Sequence, residues 1–120
     1  MSTLTTAEPM FTVFVLLRAL PAWLGLSREQ RNDIAESSLS TAIEGRAVTL
    51  QHFDAEAFSS YCSDISVFET RSLLDFYCVM ERLRDSPLFS VPYFELVQIL
   101  PALQDGFRYY EQLAGGALSV

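Results

Sequence analysis

One histidine and two cysteines are all that these 120 residues offer to imidazole or thiol chemistry. The cysteines, Cys62 and Cys78, have no paired spacing, so they make neither a disulfide framework nor a metal-binding knuckle. Both are expected to be reduced, as in a cytoplasmic protein. Basic residues are few, 8 against 15 acidic ones, for a formal net charge of −7. That leaves no basic footprint for nucleic acid or an anionic membrane. The longest apolar run, Met10–Leu17, is too short to cross a bilayer and is closed by Arg18 and Pro21. No Lys or Arg precedes that run, so it is not read as a signal peptide. No GxGxxG, P-loop or GxSxG pattern occurs, so neither nucleotide binding nor a nucleophile elbow is indicated. Half of the chain is apolar and 19% is charged, as in an ordinary globular domain.

What is present is alternation. Phe11–Leu17 is rich in β-branched and aromatic residues and apolar on both faces, which predicts a buried first strand. Ser27 followed by Gln30 is a capping-box pattern that opens a helix with the stripe Ile34, Ala35, Leu39, Ala42 and Ile43. Gly45 suits its C-terminal cap. Strands are expected at about 47–54 and 64–69, joined by a loop with room for a short helical turn over residues 55–61. Ser72 with Asp75 opens a second helix, with Leu73, Phe76, Tyr77, Met80 and Leu83 at helical spacing. Pro87 ends it. A last strand at about 93–100 lies between Pro92 and Pro101, and a short helix at 105–113 follows. Residues 1–9 and 114–120 read as flexible tails around one domain, 10–113.

The order β-α-β-β-α-β is that of an α+β, ferredoxin-like fold: an antiparallel four-stranded sheet with two helices on one face. Those helices leave the other face uncovered although the first and last strands are apolar on both sides. Burying apolar surface is worth roughly 25 cal/mol per Å². A second copy is therefore expected on that face, as a homodimeric α/β barrel with a cavity between the two sheets.

The segment Val48–Arg71 concentrates the polar chemistry. His52 has the pKa for proton transfer near neutral pH and shares strand parity with Asp54. The alternative is a hydrogen-bonded histidine near a strand end. Asp64 and Glu69 mark the ends of the third strand. Burial in a cavity would raise the pKa of either and make it a base. Otherwise Asp64 caps a turn with Ser63 and Glu69 is solvated or paired with Arg71. Arg18 either binds an anionic group or snorkels to the rim. Glu95 and Gln98 are expected on opposite faces of the last strand. Trp23, Phe14, Tyr61 and Tyr93 are read as lining for a flat ligand or as plain core or dimer interface. Cys62 reads as a packed thiol without a base. No metal is expected, because one histidine with Asp54 and Asp64 lacks paired-ligand spacing. Haem ligation by His52 has no second feature in its support, and no cofactor is expected.

Three stretches, FTVFVLLRALPAWLGLSREQR, FDAEAFSSYCSDISVFET and SPLFSVPYFELVQILPALQDGFRYYE, together resemble the darcynin family over roughly residues 10–111. The resemblance is weakest through Asn32–Ala47. It implies a small α+β domain of the ferredoxin-like, dimeric-barrel kind, and no activity. Barrels of that architecture elsewhere include cofactor-free monooxygenases, cyclases, isomerases and haem enzymes, an analogy of fold only. The reading that follows is a cofactor-independent enzyme acting on an apolar, aromatic or polyketide-like molecule. Its alternative is a non-catalytic dimeric carrier or accessory protein.

Overall fold

A computed structural model describes residues 9–119, with side chains described through Gly115. The expected tail at residues 1–8 lies outside the described residues. The order is β1 (Phe11–Ala19), α1 (Pro21–Leu24), α2 (Arg28–Ile43), β2 (Val48–Asp54), β3 (Asp64–Thr70), α3 (Leu73–Asp85), α4 (Pro87–Ser90), β4 (Phe94–Leu103) and α5 (Gly106–Ser119).

Local chemistry accounts for the helix starts. Ser27 Oγ accepts from the Gln30 amide while the Gln30 side chain accepts from the Ser27 amide, completing the capping box of α2. Ser72 Oγ accepts from the Asp75 amide at the start of α3. Gly45 has φ of 71°, a conformation that costs a glycine little just past a helix end. Arg82 of α3 donates to the carbonyls of Ala42 and Glu44 and so caps the end of α2 from a neighbouring helix.

The sheet is antiparallel throughout, in the order β2-β3-β1-β4. With α2 and α3 crossing between strands, this is the split β-α-β arrangement. Strand parity divides the side chains. Val13, Val15, Val48, Phe68 and Phe94 face the helices and form the core with Ala42, Val79, Met80, Leu83 and Leu88. Phe14, Leu16, Val67 and Leu100 alternate with them and turn to the other, open face.

Several details depart from the sequence reading. Helix α3 turns Phe76, Val79, Met80 and Leu83 inward and leaves Leu73 and Tyr77 exposed, so its apolar stripe is rotated from the expected one. Short helical turns α1 and α4 add to the expected helices, each begun by a proline at its first turn. Strand β4 runs through Pro101 to Leu103. It pairs only with β1, and a proline is tolerated at a sheet edge, where its missing N–H need not break a ladder. The pairing of β1 with β4 shifts between Leu16 and Leu17. This bulge takes up an odd number of residues in β4, so Glu95 and Gln98 lie on the same face, not on opposite ones. Residues 114–119, expected as a loose tail, continue α5.

Candidate functional site

The site is built where β2 and β3 diverge into the Ala55–Ser63 loop. Antiparallel register sets His52 opposite Ser66 and Asp54 opposite Asp64. All four are on the helix side of the sheet. His52 Nε2 donates to Asp64 Oδ2 at 2.9 Å and lies 3.6 Å from Asp54 Oδ1. His52 Nδ1 meets Ser66 Oγ at a longer 3.4 Å. Ser63 Oγ donates to the other Asp64 oxygen at 2.6 Å. Asp64 is 16% exposed and Asp54 is 85% exposed. Asp64 is therefore the partner that fixes the ring, and Asp54 adds charge from solvent.

The electrostatics follow. The hydrogen bond to Asp64 raises the His52 pKa above its ordinary 6.5. Burial opposes it and is outweighed with the help of the Asp64 and Asp54 charges. For Asp64 burial is the largest influence and disfavours the carboxylate. The hydrogen bonds from His52 and Ser63 nevertheless hold its pKa below 3.8. Of the two readings of Asp64, the turn partner of Ser63 is the one the contacts support, and burial does not leave its pKa raised. It is an ionised orienting group, and His52 is the group whose pKa the pair raises above 6.5.

Behind the pair is a cavity of about 120 Å³ between the sheet and helices α2, α3 and α4. Its walls are apolar, among them Leu39, Phe68, Met80, Leu88 and Phe89, and its polar groups are His52, Asp64 and Ser66. A shallower polar groove shares Trp23, Ala35, His52 and Asp64 with it and carries Arg28 and Arg31 of α2 opposite Asp54 and Glu56. The imidazole and its carboxylate therefore stand between an apolar chamber and a wet, charged mouth. The chamber lies within the chain, on the helix side of the sheet.

Of the residues singled out in the sequence, the fold gathers His52, Asp54, Asp64 and Trp23. Trp23 lines cavity and groove and rests edge-on against Tyr93, with ring centroids 5.4 Å apart. Tyr93 itself stays behind Trp23. Glu69 is at the far end of β3 on the open face, where it accepts from Gln104. It is five residues from Asp64, so strand parity alone sends the two carboxylates to opposite faces. Arg18 is also on the open face, donating to Glu95 and to the Tyr61 carbonyl, each at 2.7 Å. The Tyr61 hydroxyl donates to Gln98, and Phe14 is exposed on the same side. None of Glu69, Arg18, Phe14 or Tyr61 reaches the cavity. Cys62 is buried and free, as expected of a packed thiol.

Ser66, Arg28 and Arg31 were not singled out, whereas Ser63 was read as a turn partner of Asp64 and does donate to it. The signal for Ser66 was its even spacing from Asp64 within one strand. Arg28 and Arg31 had none, because only packing brings α2 over the end of β2. Ser66 with His52 and Asp64 has the composition of a nucleophilic triad. However, β3 is paired on both sides, so its amides are spent on the ladder and provide no oxyanion hole. For a metal, one ligand atom each from His52, Asp54 and Asp64 lie within 4.8 Å of one another, a grouping that sequence spacing did not reveal. A cation there would have to displace the proton that His52 gives to Asp64.

Residues 1–118 match the family described as Darcynin, domain of unknown function. The chain belongs to the darcynin family. Relatives include Darcynin of Chromobacterium violaceum, 57% identical over 68 residues, which are 56% of this chain and 86% of that one. Darcynin 1 of Acinetobacter baumannii is 45% identical over 89 residues, 73% of this chain and 99% of that one. A darcynin homolog of Granulibacter bethesdensis is 31% identical over 107 residues, 88% and 86% of the two chains. Among solved structures, a mutant chlorite dismutase from Candidatus Nitrospira defluvii superposes with a TM-score of 0.64 at 17% identity, over 83% of this chain and 42% of that one. The same organism's chlorite dismutase in complex with imidazole gives 0.64 at 16%, over 81% and 41%. The chain thus spans about two fifths of the length of those structures. At such identity the likeness establishes the ferredoxin-like fold. Among the described residues no helix is long and apolar enough to cross a membrane.

Proposed function

We propose that this protein binds a small apolar molecule in the cavity between sheet and helices and moves a proton on it with His52. The observation that carries the proposal is the 2.9 Å His52–Asp64 hydrogen bond at the polar end of an otherwise apolar chamber. The aspartate fixes the ring and stabilises the imidazolium that forms when His52 accepts a proton. A histidine with a raised pKa can also return that proton. Such a pair suits enolisation, isomerisation or a cyclisation begun by removal of an acidic C–H. Solvent-exposed Asp54, with Arg28 across the groove, would meet the polar end of the ligand, while Arg31 donates to the Trp23 and Leu24 carbonyls.

A panel of small apolar ketones, phenols and lactones in D2O tests this by ligand-observed NMR. Binding and hydrogen–deuterium exchange at the acidic C–H are then read together. The wild type should bind a subset and speed exchange, and His52→Gln should bind the same subset with exchange slowed roughly 10²–10⁴-fold. Undiminished exchange in His52→Gln would remove His52 from the chemistry. Binding without exchange in either protein would leave a carrier, the second reading.

A further inference from the structure

The cavity behind His52 is small. It holds about 120 Å³, and an apolar cavity of about 150 Å³ is filled by one benzene ring. Phe68, Met80, Leu83 and Leu88 line it and are themselves buried in the core. Enlarging it would therefore mean opening close-packed side chains. A second fused ring has no room.

One face of α2 leads from this chamber to solvent. Arg28, Asn32, Ala35 and Leu39 follow one another at helical spacing and share a stripe. Leu39 lines the chamber, Ala35 lines chamber and groove, and Asn32 and Arg28 line the groove. Over about 16 Å of helix the wall grades from aliphatic to small, to amide, to cationic. A lone surface arginine would say little, but this one ends a stripe that begins inside the cavity.

The charges sort by wall. The acids stand across the groove, and two of them are turned to the imidazole. Asp64 accepts from His52 and Ser63, and Asp54 lies 3.6 Å from His52. Among the described residues Arg28 makes no hydrogen bond or ion pair, although Asp54 and Glu56 line the same groove. Arg31 differs, because Nε and Nη2 donate to the Trp23 and Leu24 carbonyls at 3.1 and 2.9 Å. The fork of donors that a guanidinium offers to a carboxylate is thus open at Arg28 and partly spent at Arg31.

We propose that the ligand of this cavity is a carboxylic acid with a single ring or a branched body of similar size. The body fills the chamber and the carboxylate rests on Arg28, with the Asn32 amide donating beside it. This rests on the reading that the cavity binds a small molecule, and it narrows that molecule to a one-ring anion. The same order of groups brings the carbon that joins body and head to the place where chamber and groove meet, beside His52.

Isothermal titration calorimetry on the full chain is the test. The probes are phenylacetate, phenylpropionate and phenylbutyrate, each beside its uncharged primary amide, with naphthylacetate as a two-ring acid. The wild type should bind at least one single-ring acid roughly tenfold more tightly than its amide, the worth of a charge-assisted hydrogen bond. It should bind naphthylacetate at least tenfold more weakly than phenylacetate. Arg28→Gln should bring the acid down to the affinity of its amide, and Arg28→Lys should recover part of the preference, keeping the charge without the fork. Equal affinity for acid and amide in the wild type, or a preference that survives Arg28→Gln, overturns the anion anchor and leaves the cavity as a binding site. Naphthylacetate bound as well as phenylacetate overturns the size limit. Should neutral ketones, phenols or lactones bind while these acids and amides do not, this proposal alone falls. Should none of them bind, the function on which it rests falls with it.

Discussion

His52 is the chain's one imidazole, so a proton NMR titration reads a single ring. Its pKa should lie above 6.5 in the wild type. In Asp64→Asn it should fall back toward 6.5, because the hydrogen bond that most raises it is lost. Asp54→Asn should move it less, since Asp54 contributes mainly charge from 3.6 Å. An unshifted wild-type ring would dissolve the pair. Linkage fixes the corresponding pH dependence of stability. A raised histidine pKa stabilises fully below the unfolded value of 6.5 and stops doing so as pH rises through the folded value. A lowered aspartate pKa stabilises fully above 3.8 and stops doing so as pH falls through its folded value. The pair's contribution is therefore complete between 3.8 and 6.5. Urea melts should show His52→Ala losing most at about pH 5 and clearly less at about pH 9. An equal loss at both would mean that the ring matters by packing alone.

Helix α2 depends on help from α3. Its inner face includes Ser38 and Ala42, small side chains that bury little area, and its last carbonyls are satisfied by Arg82. Arg82→Met keeps most of the aliphatic stem and removes both hydrogen bonds. It should cost about 1–2 kcal/mol in chemical denaturation, toward the low end for hydrogen bonds from a charged donor because the bond to Glu44 is exposed. Hydrogen exchange should quicken first in the last turn of α2. A variant as stable as wild type would mean that water caps the helix equally well. At the edge of the sheet, Pro101→Val should change stability by less than about 0.5 kcal/mol, because the position does not depend on a lost N–H.

For the molecule as a whole, the cavity lies on the helix side of the sheet and an uncovered, partly apolar face lies on the other. Ala35→Leu adds bulk where cavity and groove meet and should weaken ligand binding at least tenfold in a titration that leaves the melting temperature within a few degrees of wild type. Chelator treatment should leave both the melting temperature and the His52 resonance unchanged. A shift in that resonance on adding zinc alone would show that His52, Asp54 and Asp64 accept a cation.

The amino-acid order by itself determined the strands, the helix starts and the shared parity of His52 and Asp54. Caps such as Ser27–Gln30 and a period of two are settled among residues a few positions apart. The same locality explains what it left open. Which side of a strand meets the helices depends on segments tens of residues away, so nothing near His52 said that it would face α2 and not a second sheet. The rotation of α3 that buries Val79 and exposes Tyr77 was fixed by the sheet it lies on. One bulge between β1 and β4 reversed the expected placement of Glu95 and Gln98. Asp64 became the partner of His52, and Glu69 was sent to the far face, only once β2 and β3 had paired in register. The site is a product of register and packing, which are properties of the closed sheet and not of any one stretch of chain.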